Sequence, residues 1–177
     1  MQVHFDMDGV LADLDGALAL DTGATQSDIR AAPGIRRTLI EHRRNRLGAQ
    51  HYTTLRPLRL SAFRELFAEL HSNGIEVHIL TAADVLTASD VVTVYEGKQA
   101  WARKHYGDLI DDGTIRSVHV VANGEQKATM FGGPHRILVD AECLNTIYWR
   151  GTGGDVIDYS DDNHAACIRA LRSMVYV

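Results

Sequence analysis

The segment FDMDGVLAD, Phe5 to Asp13, places three carboxylates within eight residues, beside a glycine. In an extended chain residues two apart face the same way, so Asp6 and Asp8 project together while Met7 turns aside. Gly9 permits a sharp turn just beyond them. Two convergent carboxylates repel each other unless a cation sits between them, and hard oxygen ligands shared with water suit Mg²⁺. A calcium loop is excluded by spacing. It needs glycine at its sixth position and glutamate at its twelfth, whereas counting from Asp6 makes Gly9 fourth and Ala17 twelfth. A solvated acidic turn would account for one such pair taken alone.

The other apolar runs end in chemistry as well. EVHIL (76–80) leads into Thr81 and Ala82, a hydroxyl followed by a small residue whose backbone N–H can approach an anion. VHVVA (118–122) leads to Asn123, Gly124 and the cation Lys127, and RILV (136–139) leads to Asp140 with Glu142 two further on. Singly, Thr81 is an ordinary helix cap and Lys127 an ordinary surface lysine. As an ordered set they deliver acid, hydroxyl, cation and acid to one edge of a sheet.

The elements that must carry these residues alternate. Strands are expected at Val3–Phe5, Glu76–Leu80, Val118–Ala122, Arg136–Val139 and, weakly, Val156–Tyr159, with helical patterns between them. That order implies an α/β fold, a Rossmann-like parallel sheet with helices on both faces, whose ligands bind beyond the carboxyl ends of the strands. Ser61 reads as the N-cap of a helix with Phe63, Leu66, Phe67 and Leu70 on one face, stopped by Ser72-Asn73-Gly74. A second helix is expected from Glu96 to Tyr106, ended by Gly107. A last one runs from His164 to Met174 with Ala165, Ile168 and Leu171 inward. Residues 14–60 hold two of the three prolines and no strand; Pro33 should open a helix that runs to Leu47 and stops at Gly48. The division that follows is a core of residues 1–13 and 76–177, with 14–75 as a helical cap insertion and its connection to the core.

Bulk properties narrow the class. The 177 residues suit one domain with a small insertion, and 45% apolar content suffices for a core. The net charge of −5 argues against a generic nucleic-acid binder, and duplex binding is not expected. Cys143 and Cys167 lie far apart without metal spacing, which fits free thiols in a reducing compartment. The N-terminus enters a strand directly rather than a leader, and no apolar run approaches the roughly 18 residues of a membrane span. A cytoplasmic location is the expectation.

With DMDGVL at 6–11, HILTA at 78–82, a lysine after the third strand and an acidic fourth strand end, the chain resembles the haloacid dehalogenase (HAD) superfamily of phosphatases over nearly its whole length. It looks closest to the 5'(3')-deoxyribonucleotidase-like branch, through KQAWARKHYG (98–107), LVDAECLNTIYW (138–149) and the glycine pair 153–154. The resemblance implies a HAD fold with a small helical cap after the first strand, and a Mg²⁺ cofactor. It implies Asp6 as the nucleophile that becomes an aspartyl-phosphate. Asp8 would be general acid and then base, with its carbonyl on the metal. Thr81, Ala82 and Lys127 would hold the phosphate. Lys98 and Lys104 compete for the lysine role, but both sit in a patterned helix and are expected to face solvent. The metal set implied is Asp6, Asp8, Asp140 and Glu142. Here the chain departs from its relatives, which carry two adjacent acids where it has Asp140-Ala141-Glu142; metal affinity and turnover are the properties this puts in question.

Between Arg30 and Arg59 lie eight arginines and one acid, Glu41. Charge runs usually line a solvated face, and that is expected of Arg36, Arg37, Arg43, Arg44 and Arg46. Arg56 and Arg59 flank Pro57 at the cap–core junction and are the candidates for substrate contact. His51, Tyr52 and Phe63 are either base-stacking residues or, as such positions usually are, core. The expected substrate is a small phosphorylated molecule, a nucleoside monophosphate and by preference a deoxynucleotide. The competing readings are phosphatase action on a polynucleotide end or a sugar phosphate, or a nucleotide-binding protein with weakened catalysis. Oligomeric state is left open, a homodimer included.

Overall fold

A computed structural model of the chain describes residues 1–83 and 88–176. Five strands form one parallel sheet: β1 Gln2–Phe5, β2 Glu76–Ala82, β3 Ile115–Val121, β4 Arg136–Asp140 and β5 Asp155–Asp158, in spatial order β3-β2-β1-β4-β5. The expected strands are all present. β3 starts three residues earlier than its apolar run, because Ile115 is buried while Arg116 and Ser117 point to the less covered side. The chain runs outward from β1 to β3, then returns to β4 on the other side of β1. This makes the carboxyl ends of β1 and β4 the topological switch point, where such sheets bind ligands.

Side-chain alternation sorts the two faces. Val3, Phe5, Val77, Ile79, Ile137, Val139 and Ile157 pack with helices α5 (Leu60–Ser72), α6 (Ala88–Asp111) and α9 (His164–Val175). The opposite face carries Leu80, Ala82, Val121 and Leu138 against Trp149 and Phe131, from α8 (Cys143–Arg150) and α7 (Gly124–Phe131). On α5 the buried residues are Phe63, Leu66, Phe67 and Leu70, the stripe expected from the 3.6 period. Phe63 lies on Phe5, Phe67 and Tyr159 and is core, not a base platform.

Three helix expectations are corrected. Ser61 lies inside α5, and Arg59 holds the N-cap position in a left-handed conformation (φ 41°) with no side-chain cap bond. The helix thus starts two residues early, just after Pro57. The helical run that carries KQAWARKHYG begins at Ala88 rather than Glu96; it is broken by a kink at Tyr106 (φ −135°, ψ 17°), where its end is expected, and a further helical turn follows to Asp111. Ala165 is exposed, and Cys167 takes the inward place beside Ile168 and Leu171.

The insertion is helical throughout: α1 Leu14–Thr22, α2 Gln26–Ala31, α3 Pro33–Leu47 and α4 Gln50–Thr53. Pro33 sits in the first turn of α3, and Gly48 ends it at φ 54°. Asp13, the third carboxylate of the opening segment, is structural. It caps α1 by accepting the Gly16 N–H at 2.9 Å and pairs with Arg56 at 2.8 Å. Among the described residues no helix is long and apolar enough to cross a membrane. Both cysteines are free, Cys143 exposed and Cys167 buried.

Candidate active site

The first cluster is assembled from β1, α7 and β4. Lys127, in the first turn of α7, is buried and donates to Asp6 Oδ1 at 2.6 Å and to Asp140 Oδ2 at 2.8 Å. α7 is aimed by its cap, where Asn123 Oδ1 accepts the Gln126 N–H at 2.9 Å. Asp140, fully buried at the end of β4, is tied down further. Its Oδ1 accepts the Glu142 N–H at 2.8 Å, and its Oδ2 accepts from Asn145 Nδ2 at 3.0 Å. Just past Asp8, Gly9 turns at φ 82°, and a side chain there would stand 3.3 Å from the Ala141 methyl. Ala141 thus lies against the turn of the first motif.

The second cluster centres on Lys98, and it overturns an expectation. Lys98 does not face solvent. It is 1% exposed, and its Nζ donates to Asp8 Oδ2 at 2.7 Å, Thr81 Oγ at 2.7 Å and the Ala82 carbonyl at 2.6 Å. An ammonium group has three protons, so Lys98 is saturated by these partners, while Lys127 commits two. Lys104 faces outward and reaches the Thr53 carbonyl at 3.3 Å. The signal for Lys98 was in the sequence. Val94, Lys98, Trp101 and Ala102 share one helical stripe, and the other three are buried. A lysine on an apolar stripe is a lysine with a buried partner.

α4 docks on this turn of α6 because residue 97 is glycine. A Cβ there would meet the Ala49 carbonyl at 2.8 Å and the Tyr52 ring at 2.9 Å. The close approach lays the Tyr52 ring 5.2 Å from Lys98 Nζ and buries His51 beside it, their rings 4.4 Å apart.

Electrostatics divide the two acids of β1. Burial raises the Asp6 carboxyl, and Asp140 and Asp8 add to this against Lys127 and Lys98; it is pushed up to about 7. Burial also raises Asp8, but Lys98, through charge and hydrogen bond, outweighs it with help from His51 and Arg36 and holds Asp8 below its usual range. Burial works against the Lys127 ammonium, yet Asp140 and Asp6 together raise it well above an ordinary lysine. Three carboxylates face two ammonium groups, so the site is one positive charge short of balance. Asp8 Oδ1 is buried without a hydrogen-bond partner.

Of the expected metal residues, Asp6 and Asp140 are brought together through Lys127, and Asp8 through its own link to Lys98. Glu142 is exposed and contributes its backbone N–H. Among the described residues no three His, Cys, Asp or Glu side chains form a group able to hold a metal by themselves.

The arginines are arranged only partly as expected. Arg43 and Arg44 are buried and Arg36 is half-buried, with Asp8 and Glu142 within reach of the Arg36 charge. Arg37 and Arg46 are outward. Arg56 is held on Asp13, and Arg59 on Asp161 at 2.5 Å. All eight arginines have a carboxylate within 4 Å: Asp15 takes Arg30 and Arg36, Asp21 takes Arg43 and Arg46, Glu41 takes Arg37 and Asp90 takes Arg44.

No protein-family model matches the chain, and no curated protein is significantly similar to it. Solved structures are similar to it over nearly their whole length. One is a hydrolase from Streptococcus pneumoniae TIGR4, 12% identical with TM-score 0.49, over 99% of this chain and 98% of that one. Another is a HAD-superfamily hydrolase, subfamily IA, variant 1, from Geobacter sulfurreducens PCA, 14% identical with TM-score 0.49, over 96% of this chain and 95% of that one.

Proposed function

We propose that the chain is a Mg²⁺-dependent phosphomonoesterase acting on a nucleoside monophosphate, a deoxynucleotide by preference, through an aspartyl-phosphate on Asp6. The observation that carries the reading is the Lys127 bridge. It fixes Asp6 Oδ1 against Asp140 and leaves Oδ2 to attack phosphorus. The remaining proton of Lys127 is available to a phosphoryl oxygen. The Thr81 hydroxyl accepts from Lys98, so its own proton is free to hold a second phosphoryl oxygen.

In the first half-reaction Asp6 Oδ2 forms a bond to phosphorus as the bond to the leaving oxygen breaks. Asp8 gives its proton to that oxygen, a contribution of about 10²–10⁴-fold. In the second, Asp8 takes a proton from water, the oxygen of that water attacks phosphorus, and Asp6 leaves. Asp8 is held low at rest by Lys98; a phosphate dianion arriving beside it raises its affinity for the proton it must donate.

Mg²⁺ fits the donors present. Such sites use one or two carboxylates with water and substrate phosphate, and here Asp6 and Asp140, brought together by Lys127, would supply the carboxylates. The missing positive charge favours a cation. Bound Mg²⁺ would keep Asp6 ionised and neutralise charge on the transferring group.

The pairing of every cap arginine favours a small substrate over a polynucleotide end, which would need free cations along its backbone. The nucleotide choice rests on the resemblance of 98–107 and 138–149. The test is phosphate release from 5'- and 3'-(deoxy)nucleoside monophosphates and sugar phosphates, with Mg²⁺ or EDTA. Release that needs Mg²⁺ and is lost in Asp6→Asn is expected. Release that survives Asp6→Asn would sink the aspartyl-phosphate, and release confined to sugar phosphates would sink the nucleotide.

A further inference from the structure

His51 is a further buried polar side chain near the catalytic acid, and its proton can be placed. Arg43 Nη1 lies 3.1 Å from the His51 carbonyl and 3.4 Å from its Nδ1. A guanidinium only donates, so Nδ1 accepts. Burial, with Arg43, Lys98 and Arg44 around it, holds the ring neutral, pushed down to about 4 although Asp8 pulls the other way. A neutral ring has one proton. It is therefore on Nε2, and Nε2 is buried without a partner.

A buried unmet donor costs about 1–3 kcal/mol, and this one has a counterpart. Asp8 Oδ1 is a buried acceptor without a donor. Each group feels the charge of the other. The contacts between them are continuous: Lys98 Nζ is 2.7 Å from Asp8 Oδ2 and 5.2 Å from the Tyr52 ring, and Tyr52 packs on His51. This donor from the cap and this acceptor from the core are among the buried polar atoms left over near their junction. A single oxygen able to accept from one and receive a proton from the other satisfies both.

We propose that His51 is a catalytic residue of the cap, whose Nε2–H donates to the leaving-group oxygen of the phosphate ester while Asp8 delivers its proton to the same oxygen. This rests on the phosphomonoesterase reading. The bond strengthens as negative charge develops on the oxygen when its bond to phosphorus breaks, so its effect falls on kcat more than on KM. It matters for an alkoxide and little for p-nitrophenolate, which leaves as a stable anion. The role also places the alcohol part of the substrate under α4.

The test compares a nucleoside monophosphate with p-nitrophenyl phosphate in the wild-type protein, His51→Asn and His51→Gln. Asparagine offers Arg43 an acceptor near Nδ1 but no donor at the Nε2 position, whereas the glutamine amide reaches it. The expected result is a loss in kcat for the nucleotide of about 10²-fold in His51→Asn, with p-nitrophenyl phosphate changed by less than about threefold, and partial recovery in His51→Gln. Equal losses on both substrates in both variants would make His51 structural and overturn the role. Should the variants fail to fold, the wild-type ring decides: ¹⁵N–¹H correlation must find the His51 proton on Nε2, and a proton on Nδ1 overturns the proposal. If the wild-type protein releases phosphate from neither substrate, the phosphatase reading falls and takes this role with it. Release from both with unselective variants removes only the role of His51.

Discussion

Lys127 is held between two buried acids, Asp6 and Asp140, and the raised Asp6 carboxyl makes its worth depend on pH. Removing one partner of a buried ion pair costs roughly 3–5 kcal/mol because the other is left uncompensated. The Asp6 carboxyl is raised to about 7, so the folded state favours its protonated form. The stability this confers is complete below the unfolded carboxyl range and is lost as pH rises through about 7. Lys127→Met should therefore destabilise the fold strongly at pH 8 and distinctly less at pH 5, where Asp6 already carries a proton. Urea unfolding at the two pH values measures the difference, and equal losses would contradict the charge assignment. The same residues mark what could be read in advance. Asp6, Thr81, Lys127 and Asp140 announce themselves as polar residues at the ends of apolar runs. Lys98 hides inside a helix, and only its place on an apolar stripe betrays it. His51 could not be read as a reacting group at all, since its meaning depends on Arg43 fixing its tautomer across the α3–α4 turn.

At the level of elements, one residue sets how closely α4 approaches α6. Gly97 lets α4 sit on the helix, and a methyl group there would meet both the Ala49 carbonyl and the Tyr52 ring at under 3.0 Å. Overpacking of this kind costs about 1–3 kcal/mol. Gly97→Ala should lower the melting temperature and also depress kcat, because α4 must rise and carry His51 and Tyr52 away from Asp8 and Lys98. A variant as active as wild type would show that α4 position does not matter to the chemistry. Periodicity located the strands and the buried face of α5. It failed at helix starts: α6 begins at Ala88 rather than Glu96, although its break at Tyr106, a ring fully buried against Trp101 and Phe67, falls where Gly107 predicts an end. Ser61 looked like a cap, but the Pro57 turn had already set the entry of the chain.

For the whole molecule, the decisive property is where charge is neutralised. Composition shows seven net positive charges between Arg30 and Arg59, and from sequence alone this reads as a basic surface. The partners lie outside that interval, on Asp13, Asp15, Asp21, Asp90 and Asp161, so the surface is far less basic than its segment. Turnover of a mononucleotide should change by less than about twofold in kcat/KM between 50 and 200 mM salt, because few condensed counterions would be released on binding. A steep fall in kcat/KM across that range would restore the polynucleotide reading. Asp15 and Asp21 have a further consequence. Both belong to α1, and between them they secure four arginines of α2 and α3. The insertion carries most of its own mortar. A lineage could lengthen, remodel or replace it as a single block, with two chain crossings to preserve and the seat of α4 to refit, while the carboxyl ends of β1, β2 and β4 stay untouched. In such an architecture the reaction can be inherited and the substrate renegotiated.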